Sequence, residues 1–128
     1  MIVAVSDGIP AEPPANCPLC PRLVAFRDEN ARQYPDFFNG AVPSFGDENA
    51  RLLIVGLAPG LKGANATGRP FTGDYAGDLL YATLEKHGYA RCSYGGHAGD
   101  GLTLHDAMIT NAVRCVPPQN KPVGAEMN

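Results

Sequence analysis

RLLIVGLAPGLKGANATGRPFTGD, residues Arg51 to Asp74, joins an apolar run to a long loop of glycine and proline. Leu52 to Val55 are four apolar residues in a row, the pattern of a parallel strand buried on both faces. The strand stops at Gly56. Glycines in the following loop let the backbone approach a ligand closely, and the prolines fix its bends. A helix is expected from about Tyr75, so the loop falls beyond the carboxyl end of a strand, where open α/β sheets place ligands. A phosphate loop does not fit the spacing: GxxxxGK counted from Gly56 needs glycine where the chain has Leu61, and no Ser or Thr follows Lys62.

Outward from this stretch, 128 residues are enough for one domain with a core, or for part of one. At 45% hydrophobic and 18% charged, the composition is globular rather than disordered. Twelve prolines and 15 glycines make the chain rich in loops. Its net charge of −3 gives no support to DNA binding, which rests on Lys and Arg neutralising phosphates, unless a basic surface lies in sequence outside these residues. The start, MIVAVSDGIP, lacks the basic region and apolar length of a signal peptide, and no run approaches the roughly 20 apolar residues of a membrane span. These features point to an intracellular protein, in which four cysteines serve as metal ligands or free thiols rather than disulfides.

Residues 1–16 read as an extended or frayed arm. After CPLCP at 17–21, RLVAFRDENARQY predicts a helix of about three turns ended by Pro35. Phe37, Phe38 and Phe45 are expected in the core. Ala76, Leu79, Leu80, Thr83, Leu84 and His87 recur at helical spacing up to a stop at Gly88. Leu104 to Cys115 predicts a second strand, and VGAEMN the first turn of a further helix. Two strands make a thin sheet, so residues 17–128 are expected to form the N-terminal part of a larger single domain.

Several residues carry chemistry. Cys17-x-x-Cys20 follows a polar arm, whereas a thioredoxin-like pair follows an apolar strand. Structural zinc usually takes a second close pair, and neither Cys92 nor Cys115 has a partner within three residues. Iron–sulfur clusters take thiolates from scattered positions. Asp74, just before a helix, is by default an N-cap, and Phe71 a core residue. Asn111 in an apolar strand would by default satisfy a backbone group, although its amide offers one acceptor and two donors. Asn65 and Thr67 are read first as holding the loop. His87, His97 and His105 show no metal spacing and adjoin no Ser or Cys in a triad-like motif.

GLAPG followed by GANATGRPFTGD resembles the first motif of the iron–sulfur uracil-DNA glycosylases. A sister branch reads GEAPG, with glutamate where this chain has Leu57; Leu57 with the FTGD ending resembles the branch called type b, or family five. The resemblance runs from Cys17 to about Glu126. It implies an α/β fold, a uracil-DNA glycosylase-like parallel sheet flanked by helices, incomplete in these residues. It also implies a 4Fe–4S cluster held by an early CxxC (Cys17 and Cys20), by Cys115 in NAVRCVPP, and by a fourth cysteine beyond Asn128, with Cys92 a free thiol. The KPxxxE pattern at Lys121 and Glu126 resembles the run that leads to that fourth ligand.

The same resemblance gives Asp74 the role of assisting the water that attacks the sugar carbon. It matches Asn111, in TNAVRC, to an asparagine that reads the O4 and N3–H edge of uracil. A loop aromatic, Phe71, would stack on the flipped base, and the backbone of Ala58, Pro59 and Gly60 would line the pocket. The implied partner is DNA containing uracil or another deaminated base, handled by a monomer in the cytoplasm, associated with the nucleoid. The family's second motif carries a histidine, and none of the three histidines here takes its role. Two other classes compete: an iron–sulfur electron carrier, which has no use for the GLAPG loop, and a DNA-binding module without catalysis.

Overall fold

The computed structural model describes residues 2–4, 12–92, 94–97 and 99–127. In chain order the elements are β1 (Ile2–Ala4), α1 (Pro21–Gln33), β2 (Phe45–Gly46), β3 (Leu52–Gly56), α2 (Ala64–Thr67), α3 (Tyr75–Lys86), β4 (Ala90–Arg91), β5 (Thr103–Leu104), β6 (Ala107–Asn111) and α4 (Gly124–Met127). A single 3₁₀ turn, Pro118–Asn120, precedes α4.

The apolar run at 52–56 and the run at 107–111 pair in parallel at the centre of a four-stranded sheet, Leu52 opposite Ala107 and Gly56 opposite Asn111. Every residue of β6 is buried, as a strand covered on both faces requires. The sheet order is β1-β3-β6-β2, with both outer strands antiparallel to their neighbours. β4 and β5 form a separate two-stranded ribbon. The expected α/β architecture with a parallel centre and flanking helices is therefore present, with two features that the patterning did not indicate. Part of the N-terminal arm, Ile2–Ala4, is a sheet strand paired with Leu53–Val55. The second strand is also shorter than Leu104 to Cys115: Asp106 sits in the left-handed region (φ 57°) and separates β5 from β6. There its carboxylate takes the Arg51 guanidinium at 2.7 Å and the Arg51 backbone N–H at 2.9 Å.

α1 begins with Pro21 at its first position, where no N–H is needed, and ends at Tyr34, before Pro35. α3 is capped by Asp74 and is followed by Gly88 in the left-handed conformation (φ 84°). Its buried face is shifted from the expected one: Leu84 is buried and Leu80 packs against the core as expected, but the rest of the face differs. Gly77, Tyr81 and Leu84 face inward, whereas Ala76, Leu79, Thr83 and His87 are exposed. The large apolar side chain of Leu79 suggested the wrong register; Tyr81 is instead the residue that fills the core, with its hydroxyl donating to the Pro70 carbonyl at 2.6 Å.

The main core gathers Ile54, Tyr81, Leu84, Leu102, Leu104 and Ile109 between sheet and α3, with Phe45 packed against it as expected. A second cluster, Leu23, Ala41, Val113 and Cys115, joins α1 to the chain beyond β6. Phe38 departs from its expected place: it is exposed, its ring lying on Gly68, and Phe37 stacks on Tyr34 (centroids 4.7 Å apart) instead of entering the core. No described helix is long and apolar enough to cross a membrane.

Candidate functional site

The sheet delivers its loops to one place. Gly56 ends β3 opposite Asn111, and the pairing continues one step further as the Ala112 and Val113 amides donate to the carbonyls of Gly56 and Leu57. GLAPG therefore leaves the sheet directly beside Asn111. A cavity of about 110 Å³ opens there, lined by Leu57, Ala58, Pro59, Gly60, Ala64, Phe71, Thr72, Asp74 and Asn111. All six residues that the sequence suggested for base handling, Ala58, Pro59, Gly60, Phe71, Asp74 and Asn111, stand on this one cavity. Leu57, half exposed at its mouth, carries no ionisable group, and Ala64 and Thr72 join the lining without any sequence signal.

Asn111 is 5% exposed, yet among the described residues its side-chain amide makes no hydrogen bond; only its carbonyl is engaged, by Arg114 Nε at 3.0 Å. The default role of satisfying a neighbouring backbone group is not what it does. Its Oδ1 and the Phe71 ring converge on Gly56: a Cβ there would stand 2.5 Å from Oδ1 and 2.6 Å from Phe71 Cζ. Phe71 itself adopts φ 58°, a backbone state that costs a bulky residue about 1–3 kcal/mol and that collects at functional sites. Its ring packs on the main core, as expected by default, and also lines the cavity. Asp74 is also two things at once. Oδ1 accepts the Gly77 amide at 2.8 Å, capping α3, while the exposed carboxylate lines the cavity.

The loop between these residues is held by its own polar side chains, as read for Asn65 and Thr67. Asn65 is fully buried and donates to Asn39 Oδ1 (3.0 Å) and the Leu61 carbonyl (3.4 Å). Thr67 Oγ1 lies 2.5 Å from Thr72 Oγ1 and accepts the Arg69 amide at 3.1 Å.

A second cavity, of about 300 Å³, has Cys17, Cys20 and Cys115 in its wall together with Leu23, Ala41 and Val113. All four cysteines are free thiols, and Cys92 is exposed on the β4 side, remote in sequence from this wall. Burial pushes the Cys115 thiol up, opposed by the Arg27 guanidinium, whose NH1 is 3.8 Å from Sγ. Arg27 also donates to the carbonyl of Cys17 (3.1 Å), tying α1 to the CxxC turn. Glu126 also lines this cavity, its carboxylate receiving Arg22 at 2.6 Å. Among the described residues no three His, Cys, Asp or Glu side chains converge as a single metal ion demands. Three thiols in the wall of one apolar cavity are nevertheless the ligand type that iron–sulfur clusters take.

Comparison with known proteins agrees with this geometry. The family model described as the uracil DNA glycosylase superfamily matches residues 43–128. A type-5 uracil-DNA glycosylase of Thermus thermophilus is 47% identical over 116 residues, covering 87% of this chain and 52% of that protein. One of Mycobacterium leprae is 48% identical, covering 86% and 51%. A type-4 enzyme of Pyrobaculum aerophilum is more distant, 35% identical over 87% of this chain and 43% of its own length. The chain spans about half the length of the curated relatives it matches. With the uracil DNA glycosylase superfamily model matching residues 43–128 and these relatives at 47–48% identity, the chain belongs to that superfamily.

Proposed function

We propose that the protein hydrolyses the N-glycosidic bond of uracil, and of other deaminated bases, in DNA, as a monomer inside the cell at the nucleoid. The observation that carries this reading is the convergence of Phe71, Asn111 and Asp74 on one cavity at the carboxyl end of β3. The base must first leave the stack, at a cost of a few kcal/mol. Phe71 then offers a ring face to it. The uncommitted Asn111 amide accepts from N3–H through Oδ1 and donates to O4 through Nδ2. The Ala58 to Gly60 backbone forms the pocket wall.

Bond cleavage leaves positive charge on the sugar and negative charge on the departing base. Asp74 keeps one oxygen on its helix cap, which fixes the carboxylate, and leaves the other for water. Its negative charge offsets that of the sugar as the bond to C1′ breaks, and it orients the water whose oxygen bonds to C1′. Water supplies a hydroxyl to the sugar and a proton balances the released base, leaving an abasic site. Leu57 cannot share this work, so the acid of the GEAPG branch has no counterpart here.

Cys17, Cys20 and Cys115 are proposed to hold a 4Fe–4S cluster with a fourth cysteine beyond Asn128. Held by these residues, such a cluster would supply structure, pinning the arm before α1 to the chain after β6, away from bond cleavage. The test of the whole reading is direct. Full-length protein in excess over a duplex with one uracil should release free uracil and leave an alkali-labile site, while a thymine duplex stays intact. Binding without release would make it a non-catalytic DNA-binding protein.

A further inference from the structure

Residues 94–97 and 99–101 have no role in the mechanism above, and neither does a buried ion pair that ends at Asp100. Arg69 and Asp100 form a two-pronged pair, NH1 to Oδ1 at 2.7 Å and NH2 to Oδ2 at 2.8 Å, with both side chains 3% exposed. The guanidinium lies among three rings, 4.9 Å from the centroid of Phe45, 5.1 Å from Tyr81 and 5.4 Å from Tyr94. Asp100 also accepts the amides of Gly95 (2.8 Å) and Leu102 (3.0 Å), closing its loop on itself.

Arg69 stands two residues before Phe71. Three consecutive carbonyls here each accept a hydroxyl: Arg69 from Thr72 at 2.9 Å, Pro70 from Tyr81 at 2.6 Å and Phe71 from Tyr94 at 3.5 Å. Tyr81 and Tyr94 stack on each other, centroids 4.5 Å apart, next to the guanidinium. Hence the pair, its aromatic box and the hydroxyls form one connected body whose outer end is the strained Phe71 backbone. A buried ion pair is a poor way to add stability, because desolvation offsets its attraction and apolar residues of similar size do as well. Arg69 even leaves Nε without an acceptor among the described residues. What the pair does supply is direction, since its fork fixes position and angle together.

We propose that Arg69 and Asp100 are positioning residues, a clamp between residues 99–102 and the motif loop that holds the Phe71 ring on the cavity. This rests on the base-excision reading above. The clamp acts through Phe71 and touches neither base nor water.

In full-length protein, Asp100→Asn keeps the size of the side chain and removes the charge. Its single-turnover release of uracil should fall about 10- to 100-fold, the scale of a misplacement of about an ångström. The DNA concentration at half-saturation should stay within about twofold, Asp100→Glu should recover most of the rate, and a crystal structure of the Asn variant should show Phe71 out of the left-handed region. If Asp100→Asn does not fold, Arg69→Lys keeps the cation in the box, loses one prong, and should show a smaller fall of the same kind. Wild-type rate in these variants with Phe71 unmoved overturns the clamp while leaving the base-excision reading intact. A moved Phe71 with wild-type rate overturns the positioning role. Wild-type protein that releases no uracil overturns the base-excision reading, and the positioning role with it.

Discussion

A Cβ on Gly77 would stand 2.0 Å from the Phe71 carbonyl oxygen. The first turn of α3 thus presses its bare backbone against the residue proposed to stack on the base. Gly77→Ala should push Phe71 away and cost about 1–3 kcal/mol, the range for overpacked sites. Thermal unfolding should register that loss, and base release at equal folded fraction should fall as well. A stable, fully active Ala variant would show that the contact does not set Phe71.

This contact explains where sequence reading succeeded and where it failed. Leu52–Val55, the loop after Gly56 and the cap at Asp74 are local signals, and each was legible from a few neighbouring residues. The face of α3 was not, because it depends on what the helix meets: Gly77 faces inward to admit a carbonyl, and Leu79, the more hydrophobic residue, is left 56% exposed. The break at Asp106 needs Arg51, 55 residues away, to be visible. The Arg69–Asp100 pair spans 31 residues across two Gly-rich loops, and no periodicity announces it. Asn111 was legible as a candidate through its motif, but that its amide has no partner among the described residues is a fact of packing alone.

For Asp74, capping and catalysis make different demands. Asp74→Asn keeps a short acceptor for the Gly77 amide, since Asn and Asp rank alike at the N-cap. Melting temperature should therefore stay within about a degree or two. Losing the charge should slow single-turnover release by roughly 10²–10³. Asp74→Ala should in addition lose about 1 kcal/mol of stability. An Asn variant that cleaves like wild type would reduce Asp74 to a cap.

Acid should act on Asp100 late. The Arg69 guanidinium holds its carboxyl well below the usual carboxylate range, with help from the Gly95 and Leu102 amides and against the opposing effect of burial. A carboxylate lowered by folding contributes stability that is complete above its unfolded pKa, about 3.9, and is lost as pH falls toward its folded value. Denaturant titrations of Asp100→Asn should hence show a shallower loss of stability below about pH 4 than wild type, with parallel curves from pH 6 to 8. Identical slopes in acid would mean that the pair does not survive in solution.

The thiol cavity has a visible readout. Anaerobically purified full-length protein should be brown, with broad absorbance near roughly 400 nm from iron–thiolate charge transfer. Cys115→Ala should bleach it, while the same change at the exposed Cys92 should not. A colourless protein with stoichiometric zinc would contradict the cluster.

If the Asn111 amide reads the base in this cavity, one substitution should abolish that reading. Asn111→Asp exchanges Nδ2, a donor, for an oxygen that only accepts, so the contact to uracil O4 turns repulsive while shape is kept. Single-turnover release of uracil by the full-length variant is the measurement, made beside its affinity for the same DNA. The rate should fall at least about 100-fold, on the scale of one lost preorganised donor, with affinity within about twofold of wild type. Release at the wild-type rate would make Asn111 a structural amide and would contradict the site described here.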